Sequence, residues 1–112
     1  LISAFCSGSK IKINNLKYLK KNQIFLCFLE RYEKENGKNK KKINSVCKFE
    51  FVENVKSKNV NQNDKNLILE LIAIDLIKNK GKFEINLFFN NNSCITLLTE
   101  IIEVTLEDQN KI

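Results

Sequence analysis

Phe83-Glu84-Ile85-Asn86-Leu87-Phe88-Phe89 decides the fold by its period. Phe83, Ile85, Leu87 and Phe89 share one side of an extended chain, and Glu84 and Asn86 share the other. Successive side chains alternate across a strand, whereas a helix would spread the same residues around its axis. The pattern returns in Lys10-Ile11-Lys12-Ile13-Asn14. It returns where Cys47, Phe49 and Phe51 oppose Lys48 and Glu50, and where Ile102, Val104 and Leu106 oppose Glu103, Thr105 and Glu107. Period two at these separated places predicts a half-buried antiparallel sheet.

Two stretches are apolar on both faces, residues 23–29 and 67–77. The first suits a central strand. The second also fits a helix that Asp64 would cap and Gly81 would end. A strand is the preferred reading, because Ile is frequent there and Lys80-Gly81 ahead of Phe83 has the form of a hairpin turn. Polar breaks separate the strands: a charged loop at 33–42 around Gly37, an Asn/Lys-rich connection at 54–66, and a short turn at 90–93. In that turn Asn takes the left-handed conformation. Strands are expected near 3–6, 11–18, 24–32, 45–52, 67–77, 82–89 and 95–106. About seven strands in one domain spanning 1–112 is the size of an immunoglobulin-like antiparallel β-sandwich. The missing Trp argues against an antibody-type domain, though not against that architecture.

The formal net charge of +6 comes almost wholly from Lys, and Arg31 is the one arginine. Lys, Asn, Ile and Phe have codons rich in A and T. The bias therefore reads as that of an AT-rich genome, such as a malaria parasite's, before it reads as a nucleic-acid footprint. The longest apolar run, residues 24–29, falls far short of the roughly 20 residues of a spanning helix. The chain opens on Leu1 without a signal-peptide n-region. The expectation is an excised piece of a larger, membrane-anchored ectodomain.

Four cysteines, Cys6, Cys27, Cys47 and Cys94, are widely spaced in a chain without His. An even count at such spacing predicts two disulfides and an oxidising compartment, with the pairing open among three connectivities. Cys27 and Cys47 are equidistant from Gly37, so a hairpin turning there would face them across neighbouring strands. A bridge would need their Cα atoms within about 6.8 Å, and Cys6–Cys94 would follow. The alternative is buried thiols in a cytosolic protein. Zinc sites normally show a closely spaced Cys pair, which is missing.

Asn91-Asn92-Ser93 is a candidate glycosylation acceptor. Lys38, Lys40, Lys41 and Lys42 form the densest positive patch, a candidate contact for anionic surfaces or else a solvated loop. Without His there is no common general base, and Glu30/Glu33 and Glu107/Asp108 read as solvated pairs. Neither a nucleophile elbow nor a phosphate loop is present. No enzyme, no cofactor and no metal is expected.

Two short motifs carry a family resemblance. Leu1-Ile2-Ser3-Ala4-Phe5-Cys6-Ser7 resembles the opening strand of the third, immunoglobulin-like domain of the hapless (generative-cell-specific) gamete fusogen in a malaria-parasite version. Cys47-Lys48-Phe49-Glu50-Phe51 resembles a later strand of that domain. The resemblance favours Cys6–Cys47, against the hairpin argument, so connectivity stays open. It implies a structural module of a class II-like membrane fusion protein on the extracellular face of the plasma membrane. Such a module would pack against its own trimer core during fold-back, meet antibodies, and touch membrane only through the parent's anchor, with no nucleic-acid partner. The alternatives are a six-cysteine-type sexual-stage adhesion domain and, in another class, a cytosolic anion- or RNA-binding domain with free thiols.

Overall fold

β-Strands account for all but one turn of the regular structure in the computed structural model, which describes residues 8–35, 39–61, 63–64 and 66–109. In chain order they are β1 (Lys10–Lys12), β2 (Leu16–Leu19), β3 (Ile24–Glu35), β4 (Asn39–Phe49), β5 (Val52–Lys58), β6 (Ile68–Asn79), β7 (Lys82–Phe89), β8 (Cys94–Thr99) and β9 (Val104–Asp108). A 3₁₀ turn at Ile13–Asn15 separates β1 from β2.

The ambiguous stretch at 67–77 is strand. β6 and β7 form a hairpin from Asn79↔Lys82 inward. Its two-residue turn, Lys80-Gly81, has φ of 51° and 79°. Positive φ at both central residues is the type I′ signature, whose twist matches that of the flanking strands. Asp64 caps a local turn instead of a helix: its carboxylate accepts from the Asn66 N–H at 3.2 Å and its carbonyl from the Leu67 N–H at 3.0 Å. The turn between β7 and β8 carries Asn91 and Asn92 at φ of 61° and 58°, the left-handed conformation expected there.

All pairings are antiparallel and the strands belong to one sheet, ordered β5-β8-β7-β6-β1-β3-β4-β9, with β2 added to β3. At about 4.8 Å per step a flat sheet would hold β8 roughly 19 Å from β3. Yet Ile95 and Leu97 of β8 share one core cluster with Phe25 and Cys27 of β3 and Phe49 of β4. The sheet must therefore curl until its two halves face each other. The bend falls at β1, three residues long, which joins β6 on one side to β3 on the other. Its middle residue, Ile11, is 1% exposed.

The antiparallel all-β class expected from the alternation is observed, with differences in detail. Residues 95–106 are two strands, β8 and β9, parted by Glu100–Glu103. β5 occupies much of the expected 54–66 connection. The expected loop at 33–42 is mostly ladder, since β3 and β4 stay in register out to Glu35↔Asn39. The strand expected at 3–6 lies outside the described residues.

The cross-links need correction. Among the described residues there is no disulfide. Cys94 lies on β8 opposite Phe88, in the outward-facing row, whereas Cys27 and Cys47 are 2% exposed within the core. No bond can pass between those faces of one sheet. Cys27 and Cys47 do stand opposite each other in register, the arrangement a hairpin centred on Gly37 gives, but their sulfurs are not joined. Cys6 lies outside the described residues.

Replacing Ile11 with Ala should cost about 2–5 kcal/mol of unfolding free energy, read from the denaturant midpoint at unchanged slope. Gly81→Val should cost about 1–2 kcal/mol by forcing a branched side chain into the left-handed region. The same measurement checks it, with Gly81→Asn as the tolerated control.

Candidate functional site

The curl does not close by hydrogen bonding along its whole length. At one end β5 meets the β2–β3 turn: the Val52 N–H donates to the Gln23 carbonyl at 2.8 Å, and the Tyr18 hydroxyl donates to the Val52 carbonyl at 2.8 Å. Beyond that point β2 pairs only with β3, and β5 only with β8, among the described residues. The two strands diverge, leaving a cleft of about 410 Å³ between two sheet edges.

Alternation builds its lining. Leu16 and Tyr18 of β2 and Val55 of β5 pack against the core, as does Val60 just after β5. Phe25 and Ile95 line the cleft from the two facing halves of the sheet, and Ile13, Asn14 and Ser57 complete it. The intervening residues Lys17 on β2 and Lys56 and Lys58 on β5 are exposed on the opposite side of the same strands. Lys17 Nζ lies 5.9 Å from the centre of the Phe28 ring, a cation–π distance. The result is a cleft whose exposed lining is about equally apolar and polar, with a cationic outer rim. Sequence reasoning placed no site here, because the walls come from segments about 40 residues apart in the chain that only the curl brings together.

The residues singled out from sequence lie elsewhere and do not converge. Asn91 is exposed at the tip of the β7–β8 turn, while Ser93 is buried and its hydroxyl donates to the Asn59 carbonyl at 2.6 Å. Lys38 lies outside the described residues. Lys40 and Lys41 belong to β4, and Lys42 pairs with Glu30 at 3.1 Å. Cys94 Sγ lies 3.8 Å from Thr96 Oγ1, whose hydroxyl donates to Asn86 Oδ1 at 2.7 Å. Among the described residues no group of three or more His, Cys, Asp or Glu is placed to hold a metal ion.

Two polar clusters are structural. Arg31 reaches across β4 to β9: it donates to both Asp108 carboxylate oxygens at 2.8 and 3.0 Å and to Ser45 Oγ at 3.0 Å, while the Ser45 hydroxyl donates to Asp108 at 2.7 Å. Lys82 donates to Glu53 at 3.0 Å, tying the start of β7 to β5. That hydrogen bond and the Glu53 charge hold the Lys82 ammonium above its ordinary value of 10.5. A raised cationic pKa stabilises the fold below the ordinary value, and the contribution fades as pH rises through the raised one.

A family model described as "Protein of unknown function (DUF2948)" matches residues 1–112. The chain belongs to this family. No curated protein and no solved structure matches it. The family description carries no activity, and nothing in the match bears on fusion or adhesion.

Thiol labelling checks the corrected cysteine assignment. In a Cys6→Ser variant, alkylation of the native protein should modify Cys94 alone. Denaturation without reductant should then expose Cys27 and Cys47, for three labelled thiols by intact mass; a total of one would mean that those two are bridged.

Proposed function

We propose that the protein is a binding module whose site is the cleft between β2 and β5. The observation that carries this reading is the cleft's construction: about 410 Å³ lined by Leu16, Tyr18, Phe25, Val55 and Ile95, with a few polar groups at its edge. Its volume falls in the roughly 300–1,000 Å³ range of small-ligand and anchor-residue sites, and its exposed lining is about equally apolar and polar. The walls are backbone-rigid, because Phe25 and Ile95 sit in interior strands of the sheet and are nearly fully buried. Tyr18 is held by its own hydrogen bond to Val52, so its ring is preset before any ligand arrives.

The cleft supports recognition more than chemistry. Its polar members are Asn14, Ser57 and the Tyr18 hydroxyl, and no carboxylate or cysteine lines it. The cationic rim favours ligands that combine an apolar body with negative charge.

An anionic apolar dye, anilinonaphthalene sulfonate, tests the reading. It should bind the folded protein saturably at one site, with fluorescence enhancement lost in Val55→Phe, which fills the cleft. Leu98→Phe, on the other face of the neighbouring strand, should leave binding unchanged. Dye binding that is unsaturable, or equal in wild type and Val55→Phe, would refute the cleft as a site.

A further inference from the structure

We infer that the pocket between the β4–β5 corner and the β8–β9 connection receives an arginine side chain from a partner protein. This is a second site, beyond the β2–β5 cleft, and no residue lines both. Its volume is about 210 Å³, and its lining is Gln23, Phe51, Glu53, Glu100 and Ile101. It forms where the chain crosses between the two ends of the sheet. Residues 50–51 carry β4 into β5, and residues 100–103 carry β8 into β9. The Glu50 N–H ties the two crossings together by donating to the Glu103 carbonyl at 2.9 Å.

Local irregularities aim this lining outward. Continued alternation from Cys47 and Phe49 would bury Phe51. Instead Phe51 takes φ of 59° and is 41% exposed, and Val52 regains the interior. Glu53 is the extra residue of the bulge between Val52 and Asn54, and a bulge re-aims a side chain. Ile101, in the second crossing, is 56% exposed. The charges do not balance within the pocket. Lys82 holds Glu53 Oε1 at 3.0 Å and also feels the Glu100 charge. Glu53 Oε2 is buried without a hydrogen-bond partner, so water does not screen it. Glu100 makes no ion pair among the described residues. Two carboxylates against one cation leave one negative charge, in a chain whose net charge is +6. Lys20 and Lys21, in the same turn as Gln23, are exposed and do not line the pocket.

A single positive charge with apolar surface restores the balance. A metal ion fits poorly, since no group of three or more His, Cys, Asp or Glu is placed to hold one among the described residues. A guanidinium is planar and weakly hydrated. Its fork can donate to Glu100 while its face lies against the Phe51 ring and its stem covers Ile101. Exposed Ile101 and Ile102 offer apolar surface on which the residues flanking that arginine would rest, and arginine is enriched at the centres of protein interfaces.

The probes are three labelled heptapeptides read by fluorescence anisotropy at low salt: Ser-Gly-Leu-Arg-Leu-Gly-Ser and its versions with lysine or citrulline in place of arginine. Citrulline keeps the shape of arginine without the charge. The arginine peptide should bind saturably and about tenfold more tightly than the citrulline peptide, the worth of one charge-assisted hydrogen bond, with lysine between them. Glu100→Gln should weaken it about tenfold for the same reason. Phe51→Asn should weaken it about fivefold by removing the ring, while thermal melting stays cooperative, because Asn accepts the left-handed conformation. Val55→Phe, which fills the cleft, should leave peptide binding unchanged. Equal binding of arginine and citrulline peptides, or no saturable binding, would overturn the inference. So would a lysine peptide as tight as the arginine one, or wild-type affinity in Glu100→Gln or Phe51→Asn. Loss of peptide binding in Val55→Phe would also overturn it, by moving the peptide to the cleft.

Discussion

One strand of three residues carries the ladder from one half of this sheet to the other. Among the described residues β1 is the only strand that pairs with both β6 and β3, and Ile11 at its centre is almost fully buried between Leu69 on one neighbour and the β3 side of the core. A longer bridging strand would pair along its length and keep the sheet flatter. The 3₁₀ turn at Ile13–Asn15 ends the bridge early, and the chain leaves β6 to continue as β2 along β3 alone. The bend, the shared core and the facing of β5 toward β2 all follow from that early ending. Burial of apolar surface on the concave side then favours closure over an open sheet, since both halves present their alternating Phe, Leu and Ile residues inward.

Closure of this kind leaves a seam. A continuous ladder between β5 and β2 would remove the two edges that bound the cleft, although β9 would still end the sheet. Here the ladder is replaced by two contacts near Val52, and the strands separate beyond them. The same separation of the two strands gives the cleft its depth. The cleft is thus a by-product of incomplete closure, which explains why its lining mixes core residues such as Phe25 with edge residues such as Val55.

Much of the sheet was legible because period two survives in a sequence rich in Lys and Asn. β7 was readable from Phe83 to Phe89, and the hairpin turn was readable from Lys80-Gly81 only together with that strand, since Gly81 by itself also suits the end of a helix. β5 was not: Val-Glu-Asn-Val-Lys-Ser-Lys has two apolar residues and a bulge between Val52 and Asn54 that breaks their alternation. The division between β8 and β9 was hidden for the opposite reason, since Glu100-Ile101-Ile102-Glu103 contains no turn-forming Gly, Asn or Pro. The opposition of Cys27 and Cys47 was legible as a distance from Gly37. That their sulfurs stay unjoined was not, because spacing reports register and not oxidation state. The cleft was invisible to any local pattern, being a property of which edge faces which.

β3 and β4 outrun their neighbours. β2 covers β3 only to Cys27, β1 touches it at Glu30, and β9 covers β4 only from Ser45 onward. Past that line the two strands pair only with each other among the described residues, and an isolated two-stranded ribbon is marginal in water. The Arg31–Ser45–Asp108 cluster sits where the ribbon leaves the body, binding β3, β4 and β9 with charge-assisted hydrogen bonds. It works as a rivet at the root of a protruding tongue. Any opening of the β3–β4 ladder from its far end must break those bonds before it reaches the curled body.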